Sequence, residues 1–226
     1  MRILVVAATE MEIAPLVASL RDRRDGSQQV TSYTYAAHDV DVLITGVGMV
    51  ATAAWCSHRL AQRRYDLALN FGLCGSFDRR LEPGTVVHVT SDRIAELGAE
   101  DDEAFITIQE LQLLGDREFP FTCGRLVNPA PPDNATLSAL PAVDAITVNT
   151  VHGNTRSIAE IARRFTPQVE SMEGGAFMYA CMIHGLVHAQ VRAVSNFVEK
   201  RNRAAWKIAD AIRSLEHTAL SILDGA

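Results

Sequence analysis

Short apolar runs alternate along the chain with segments whose apolar residues recur at helical intervals, and this alternation constrains the fold most strongly. Residues 3–8 form a continuous apolar run typical of a strand covered on both faces, and residues 12–20 then follow a helical period. The further predicted strands cover residues 33–37, 40–44, 67–71, 84–90, 145–151 and 187–194. The further predicted helices cover residues 50–60, 154–165, 174–183 and 203–223. Strands that alternate with helices predict an α/β fold, here a three-layer α/β/α sandwich with a mixed, mainly parallel central sheet.

Residues 93–135 do not follow this alternation. They contain an acidic stretch at residues 100–103 and a proline-rich part around residues 120–132. Segments of this length without secondary structure are uncommon in compact domains. We therefore expect a long excursion from the sheet, either mobile or located at a subunit contact.

The size and composition of the chain suit one domain. With 226 residues, 48% of them apolar, the chain can bury a sizeable core, so we assign residues 1–226 to a single domain. The formal net charge is -6 and no block of Lys or Arg occurs, which argues against nucleic acid as a partner. The N-terminal apolar run is too short and too quickly followed by acidic residues for a signal peptide or membrane span. We therefore expect a cytoplasmic protein without a membrane partner.

The spacing of cysteine and histidine gives no signature of a disulfide or a metal. The four cysteines are widely separated, so four buried, reduced thiols are the expected state. His184 and His188 are four residues apart, but Gly185 interrupts the helix that would bring them together. No Gly-x-x-x-x-Gly-Lys loop occurs, which argues against nucleoside triphosphate hydrolysis.

Glycines and polar residues cluster where the predicted strands end. They are Glu10, Glu12, Gly46, Gly48, residues 72–75, residues 150–154, Ser195 and Asn196. In an open α/β sheet the carboxyl ends of the strands border one crevice, in which ligands bind. Each residue alone has a structural explanation, since an acid such as Glu12 also stabilises the first turn of a helix. Their joint placement predicts one ligand site.

Glu173 and Asn196 are complementary to different parts of a nucleoside. An ionised Glu only accepts hydrogen bonds and so suits ribose hydroxyls, whereas Asn both donates and accepts and so suits the edge of a purine. The pair therefore favours an enzyme that acts on a nucleoside.

Five segments resemble, in order along the chain, the motifs of the purine nucleoside phosphorylase and nucleosidase superfamily. They are Glu12, Thr45–Gly48, Asn70–Gly75, Ser171–Glu173 and Arg192–Asn196. The resemblance covers nearly the whole chain and is closest in layout to the 5'-methylthioadenosine/S-adenosylhomocysteine nucleosidases. Residues 195–206 look like the corresponding segment of the futalosine hydrolases, a family of the menaquinone pathway.

The resemblance implies hydrolysis of the bond between ribose C1' and purine N9 through an oxocarbenium-like state. Glu12 is then the general base that activates water, and Glu173 accepts hydrogen bonds from the ribose hydroxyls. Met172 packs on the ribose or the base. The resemblance also implies that no cofactor is needed. It implies a homo-oligomer, a dimer or a multiple of one, because subunits of this superfamily commonly complete each other's pockets.

Four more residues are expected to bind substrate: Gly75, Arg192, Ser195 and Trp206. The resemblance places Trp206 near the 5' substituent of the ribose. A benzoate on that substituent, as in futalosine, would need a cation, for which the candidates are Arg201, Arg203 and Lys207. Structural alternatives are a sheet-edge ion pair for Arg192, a turn cap for Ser195 and a core position for Trp206.

Asn196 stands where the adenine-specific nucleosidases carry Asp. An amide donates to O6 and accepts from a developing N7 proton of a 6-oxopurine, so hypoxanthine fits Asn better than adenine does. Since futalosine carries hypoxanthine, the expected reaction releases hypoxanthine and dehypoxanthine futalosine. Asn cannot supply a proton, so the leaving base must be stabilised as an anion by hydrogen bonds or be protonated through water.

Three alternative functions stay open. The first is a methylthioadenosine-type nucleosidase, which Asn196 disfavours. The second is a phosphorylase, which needs a phosphate site among Gly48, the loop after Phe71 and an Arg. The third is a non-catalytic nucleoside sensor on the same fold, against which the presence of both Glu12 and Glu173 weighs.

Overall fold

The computed structural model describes residues 1–25 and 29–226, and the described residues contain six α-helices. They are α1 (Glu10–Ser19), α2 (Met49–Gln62), α3 (Ala135–Ala139), α4 (Thr155–Phe165), α5 (Gly174–Ile183) and α6 (Ile208–Asp224). The predicted closing helix is shorter than expected, because a 3-10 turn at Arg203–Ala205 precedes α6. None of the helices in the described ranges is both long and apolar enough to cross a bilayer.

Every strand predicted from the sequence has a counterpart among the strands of the described residues. The strands of the described residues are β1 (Arg2–Ala7), β2 (Arg21–Asp25), β3 (Val30–Tyr35), β4 (His38–Ile44), β5 (Leu67–Ser76), β6 (Val86–Ile94), β7 (Gly98–Asp101), β8 (Ala104–Thr107), β9 (Phe121–Thr122), β10 (Arg125–Val127), β11 (Ala142–Thr147), β12 (Val169–Ser171) and β13 (His188–Phe197). Compared with the prediction, β11 begins and ends earlier, and β13 continues to Phe197. The strands β2, β12 and the short strands β7 to β10 were not predicted from the sequence.

One mixed sheet organises the fold. Its linear order is β2-β3-β4-β1-β5-β12-β11-β6-β10-β9. The β1 strand pairs in parallel with β4 and β5, and β11 pairs in parallel with β6 and β12. Antiparallel pairs lie at the two edges, where β12 meets β5, and where β13 meets β6. The longest ladder, between β5 and β13, is parallel. The predicted α/β fold with a mixed sheet is therefore confirmed.

The β13 strand lies off this linear order, because it pairs with β5 on one side and with β6 on the other. As a result β5, β12, β11, β6 and β13 form a closed ring of five strands. A closed ring has no unpaired edge, since each of its strands has a neighbour on both sides.

Side chains of β1 alternate between two cores, one on each face of the sheet. Ile3 and Val5 belong to a core shared with α1, α3 and α6, whereas Leu4 and Val6 belong to a core shared with α2 and α5. This division follows from the two-residue period of a strand, which sends successive side chains to opposite faces. All four side chains are fully buried, and burial of each contributes about 1.5–3 kcal/mol. The helices therefore cover both faces, as the predicted sandwich requires.

The segment 93–135 leaves the main sheet only in part. The β7 and β8 strands form a separate two-stranded sheet, whereas β10 pairs with β6 and with β9 at the edge of the main sheet. The expectation of a continuous excursion is therefore wrong for residues 121–127. Strands of two and three residues are too short to leave a recognisable period in the sequence. The suggested subunit contact of this segment stays a prediction.

Asp41 of β4 is a buried carboxylate with several partners. It lies 2.6 Å from Nη2 of Arg59 and 3.2 Å from Nη1 of Arg63, and it accepts a 2.5 Å hydrogen bond from the Tyr65 hydroxyl. Burial alone raises the pKa of Asp41, but hydrogen bonds from Ser32, Tyr65 and Arg59 and the charge of Arg63 hold it below its usual value of 3.8. The cluster ties β4 to α2 and to the segment that leads into β5.

The four cysteines are free, but they are not all buried. Cys56, Cys74 and Cys181 are buried, whereas Cys123 is exposed in the turn between β9 and β10. The expectation of four buried thiols is therefore wrong for Cys123. The exposed position follows from the hairpin of β9 and β10, which the sequence did not predict.

Candidate active site

A cavity of about 350 Å³ opens where β1, β5 and β13 approach their carboxyl ends, beside β12. This volume lies within the range of small-molecule sites, about 300–1,000 Å³. Seven of the residues assigned from the sequence line its wall: Glu12, Gly75, Met172, Glu173, Ser195, Asn196 and Trp206. The eighth, Arg192, does not line the cavity. The structure thus brings together side chains that are separated by as many as 194 positions in the chain.

Glu12 lies in the first turn of α1, and its two carboxylate oxygens have different partners. Oε2 accepts hydrogen bonds from the backbone N–H of Thr9 at 3.0 Å and from the Thr9 hydroxyl at 2.9 Å. Oε1 accepts a 3.1 Å hydrogen bond from the N–H of Leu73 in β5. The helix-cap role that the sequence allowed is therefore present, but the same side chain also reaches the end of β5 at the cavity wall.

Glu173 is 8% exposed and lies at the N-terminus of α5. Its Oε1 accepts a 3.0 Å hydrogen bond from the N–H of Gly48, whose φ of 98° favours glycine. Burial raises the pKa of Glu173, and the charge of Glu12 raises it further, whereas the charge of Arg192 and the Gly48 N–H oppose the rise. The two glutamates therefore act on each other electrostatically across the site.

Arg192 is 1% exposed in the middle of β13, between β5 and β6. The suggested sheet-edge ion pair is therefore wrong, because β13 has a neighbouring strand on each side. Its Nη2 donates a 2.5 Å hydrogen bond to Oδ1 of Asn70, whose own Nδ2 donates to the carbonyl of Val6 at 3.0 Å. Asn70 thus fixes the direction of the guanidinium.

Gly72 separates Arg192 from Glu12. A Cβ at this glycine would lie 2.7 Å from Nη1 of Arg192 and 3.2 Å from Oε1 of Glu12. A hydrogen-bond donor and an acceptor therefore face the same small space above β5. Any side chain larger than that of glycine would fill this space.

Asn196 follows an irregularity in β13. The register with β5 shifts between Val194 and Asn196, so Ser195 is the extra residue and Asn196 pairs with Gly75. Such bulges redirect the side chain that follows. The Oδ1 of Asn196 accepts a 2.8 Å hydrogen bond from the Ser195 hydroxyl, and Nδ2 donates to the carbonyl of Phe197 at 2.9 Å. These contacts hold the half-buried amide at the cavity wall.

Ser195 does not cap a helix. Its hydroxyl lies 3.2 Å from the carbonyl of Cys74 and 2.8 Å from Oδ1 of Asn196, so the suggested turn cap is wrong. Cys74 is itself buried, and burial raises the pKa of its thiol to about 12. A thiol with that pKa is a poor nucleophile near neutral pH.

Trp206 is half-buried on the cavity wall and is not a core residue. Two cations lie near its ring, with guanidinium carbons 5.2 Å (Arg201) and 5.9 Å (Arg203) from the ring centroid. Both also line the cavity, whereas Lys207 lines a neighbouring cavity beside Pro83, which shares Trp206 with it. The structure therefore brings together an aromatic wall and two of the three predicted cations.

Glu170 at the cavity was missed from the sequence, and its partner His152 lies in the predicted stretch 150–154 but was given no role of its own. Glu170 is 3% exposed, and its carboxylate lies 2.6 Å from Nδ1 of His152 and accepts a 3.0 Å hydrogen bond from the His152 backbone N–H. The edge of the His152 ring packs near Phe77. Prediction of β12 would have placed Glu170 on a strand that ends at the site, but a three-residue strand gives no such signal.

Comparison with known proteins identifies the family of the chain. The family model described as Phosphorylase superfamily matches residues 2–225. A futalosine hydrolase from Acidothermus cellulolyticus is 31% identical over 221 residues, which cover 95% of this chain and 87% of that protein. One from Streptomyces coelicolor is 32% identical over 183 residues, which cover 77% and 74%.

A solved structure shows the same fold. The 5'-methylthioadenosine/S-adenosylhomocysteine nucleosidase from Neisseria meningitidis, in complex with methylthio-immucillin-A, aligns with a TM-score of 0.80 and 16% identity. The alignment covers 100% of this chain and 99% of that chain. The resemblance recognised in the motifs is therefore confirmed over the whole chain. The chain belongs to the phosphorylase superfamily and, with futalosine hydrolases among its relatives, is an enzyme of the N-glycosidase type.

Proposed function

We propose that the enzyme hydrolyses the N-glycosidic bond of futalosine and releases hypoxanthine and dehypoxanthine futalosine, as a step of menaquinone biosynthesis. The observation that carries this proposal is the convergence of Glu12, Glu173 and Asn196 on one cavity. The names of the relatives that are 31% and 32% identical support the choice of futalosine as substrate.

Glu12 is proposed to activate the attacking water. A water in the small space above Gly72 would meet Oε1 of Glu12 as an acceptor and Nη1 of Arg192 as a donor. In this step the water oxygen bonds to C1' as the C1'–N9 bond breaks. The bonding electron pair leaves with the purine, and the water proton passes to Glu12. General base catalysis of this kind contributes about 10²–10⁴-fold to a rate.

Glu173 is proposed to hold the ribose hydroxyls. The sugar gains positive charge as the bond to the base breaks, and a carboxylate that contacts its hydroxyls binds this state more strongly than the ground state. Because Glu173 is 8% exposed, its charge acts through a low local dielectric. A carboxylate has about four lone-pair sites, so the hydrogen bond from Gly48 leaves capacity for the ribose.

Asn196 is proposed to bind the 6-keto side of hypoxanthine. Its amide both donates and accepts, and the hydrogen bonds to Ser195 and Phe197 restrict its rotation. A fixed amide that donates to O6 stabilises the negative charge that the departing purine carries. This contact compensates in part for the proton that an amide cannot supply.

Trp206 and the two nearby arginines are proposed to bind the 5' substituent. The indole offers an apolar wall for the benzoate ring, and Arg201 or Arg203 offers a bidentate partner for its carboxylate. The two guanidinium groups lie on the same side of the cavity as Trp206, which places cation and aromatic wall together.

Water is favoured over phosphate as the acceptor. A phosphate ion is too large for the space above Gly72, where a single Cβ would already lie 2.7 Å from Nη1 of Arg192 and 3.2 Å from Oε1 of Glu12. The arrangement therefore supports hydrolysis over phosphorolysis.

The test is incubation of the enzyme with futalosine, aminofutalosine, methylthioadenosine and inosine, each with and without phosphate, followed by identification of the released base and sugar. The expected result is hypoxanthine and free sugar from futalosine at a rate independent of phosphate. Preferred release of adenine from methylthioadenosine would instead support the adenine nucleosidase. A sugar phosphate would support a phosphorylase, and binding without turnover would support a sensor.

A homo-oligomer, a dimer or a multiple of one, is part of the proposal. Met11, Val47 and Val50 are 58%, 56% and 82% exposed, and the first two line the cavity. Exposed apolar side chains that adjoin a binding site are typical of a protein interface. Light scattering of the purified enzyme tests this, and a monomer at micromolar concentration would contradict it. A cytoplasmic location is also proposed, because all four cysteines are free.

A further inference from the structure

Glu170 lies directly opposite the amide that is proposed to bind the base. Glu170 of β12 and Asn196 of β13 are both register partners of Gly75 in β5, one on each side. The Cγ of Glu170 and the Nδ2 of Asn196 lie 3.6 Å and 3.4 Å from the point where a Cβ on Gly75 would sit. The two side chains therefore lie on the same face of the sheet and flank the same glycine.

The carboxylate of Glu170 is buried and still lines the cavity. It is 3% exposed, and its contacts to His152 use Oε1 for the backbone N–H and Oε2 for Nδ1. An ionised carboxylate offers about four lone-pair sites and no proton. The carboxylate of Glu170 can therefore accept a further hydrogen bond. Because removal of a charge from water is costly, a charge at this depth calls for such partners.

A 6-oxopurine differs from a 6-aminopurine at two positions on the edge of the base, N1 and the substituent on C6. Hypoxanthine carries a proton on N1 and donates there, whereas adenine presents a lone pair at N1. A group that only accepts hydrogen bonds matches the first base and repels the second. The fixed amide of Asn196 is assigned to the 6-keto side of the base, so discrimination at N1 needs a second group.

We infer that Glu170 is a specificity-determining residue that accepts the N1–H of a 6-oxopurine and excludes a 6-aminopurine. His152 is a positioning residue, since its ring and backbone N–H hold the carboxylate in place. The inference rests on the proposed function, because it requires a purine nucleoside in this cavity. It adds a second group to base recognition and assigns the discrimination at N1 to Glu170.

If Glu170 had only a structural role, its replacement would not change the preference for the base. Glu170 also anchors the loop after β11 through the backbone of His152, so its loss could weaken the site without any effect on base preference. Glu96 provides a matched control. Its carboxylate accepts hydrogen bonds from the backbone N–H groups of Asn149 and Thr150 in the same loop, but it does not line the cavity.

The test compares kcat/KM for futalosine and aminofutalosine, which differ at C6 and N1 of the base, in wild type, Glu170→Gln and Glu96→Gln. The Gln side chain keeps the shape of Glu but can donate to adenine N1. The ratio of kcat/KM, futalosine over aminofutalosine, should fall by about 10²-fold or more in Glu170→Gln, since mismatched buried polar groups reject an analogue strongly. It should stay within about twofold of wild type in Glu96→Gln, where no contact to the base is lost.

An equal loss of kcat/KM for both substrates in Glu170→Gln would overturn the inference, since Glu170 would then only anchor the loop. Failure of the wild type to cleave either substrate would instead contradict the proposed function.

A second measurement needs no variant: inhibition of the wild type by hypoxanthine and by 1-methylhypoxanthine, which lacks the N1 proton. Hypoxanthine should bind about 10²-fold more tightly, because the methylated base leaves the carboxylate unmatched. Equal inhibition constants would overturn the assignment of N1 to Glu170.

Discussion

Replacement of Gly72 by alanine tests the proposed water site with a single methyl group. Its Cβ would lie 2.7 Å from Nη1 of Arg192, whereas non-bonded contacts of this kind are comfortable at about 3.5 Å. The guanidinium would have to retreat by roughly 0.8 Å. Arg192 is 1% exposed and held by Asn70 at 2.5 Å, so this movement strains the contact that fixes its direction. The methyl group would also lie 3.2 Å from Oε1 of Glu12, in the space assigned to water.

We expect Gly72→Ala to lose activity far more than stability. Insertion of one methyl group into a well-packed region costs about 1–3 kcal/mol of unfolding free energy. A displacement of about 1 Å at reacting groups lowers a rate by about 10²-fold. The loss should appear in kcat and only weakly in KM, because the proposed base and tail contacts lie elsewhere in the cavity. Steady-state hydrolysis of futalosine and urea unfolding, measured on the same preparation, separate the two effects.

Gly115→Ala is the matched control. A Cβ at Gly115 would have its nearest neighbour at 3.7 Å, which is an ordinary contact, and the atoms near it belong to Glu118 and not to Glu12 or Arg192. This variant should retain wild-type kcat and stability within about 0.5 kcal/mol. A folded Gly72→Ala enzyme with the kcat of the control would refute the argument, because the space between Arg192 and Glu12 could then not hold the attacking water.

Three further predictions follow from the same geometry. Glu12→Gln should lower kcat by about 10²–10⁴-fold with little change in KM in steady-state assays, and an unaltered kcat would remove Glu12 from the mechanism. Asn196→Asp should raise kcat/KM for methylthioadenosine relative to futalosine, and a constant ratio would contradict the role of the amide. Asp41→Ala should destabilise the fold by about 3–5 kcal/mol near neutral pH in urea unfolding, because Arg59 loses its buried partner. The pKa of Asp41 in the folded state lies below its ordinary value of 3.8. The stability that the charged Asp41 contributes is therefore fully present above about pH 3.8 and is lost as the pH falls through the folded-state pKa. The difference in stability between wild type and Asp41→Ala should therefore shrink in acid, and a difference that stays constant down to the acid transition would contradict it.

The fold class could be predicted because its signals are local. The run at residues 3–8 and the helical period that follows it are properties of contiguous sequence, and the structure has β1 and α1 there. The strands that escaped prediction are short or lie at an edge. β12 has three residues, β9 has two, and β2 reads Arg-Asp-Arg-Arg-Asp, with no apolar residue to mark a buried face.

The site was predictable where a motif places a residue at a strand end, and not where a contact joins distant segments. Glu12, Glu173 and Asn196 belong to recognisable motifs and line one cavity. The pair of His152 and Glu170 depends on how the loop after β11 folds back on β12, which no local pattern records. Arg192 looks like an edge residue in the sequence because it is charged. Its burial depends on Asn70, which lies 122 positions earlier in the chain.

The five-strand ring has a consequence for attempts to redesign this enzyme. Gly75, Glu170, Arg192 and Asn196 all lie on its strands, so their backbone positions are coupled through a continuous circuit of hydrogen bonds. A slip of one residue in any of these strands would turn every side chain of that strand to the opposite face and demand a matching slip all around the circuit. Libraries for new base preference should therefore exchange side chains at these four fixed positions, while insertions and deletions belong in the segments outside the ring.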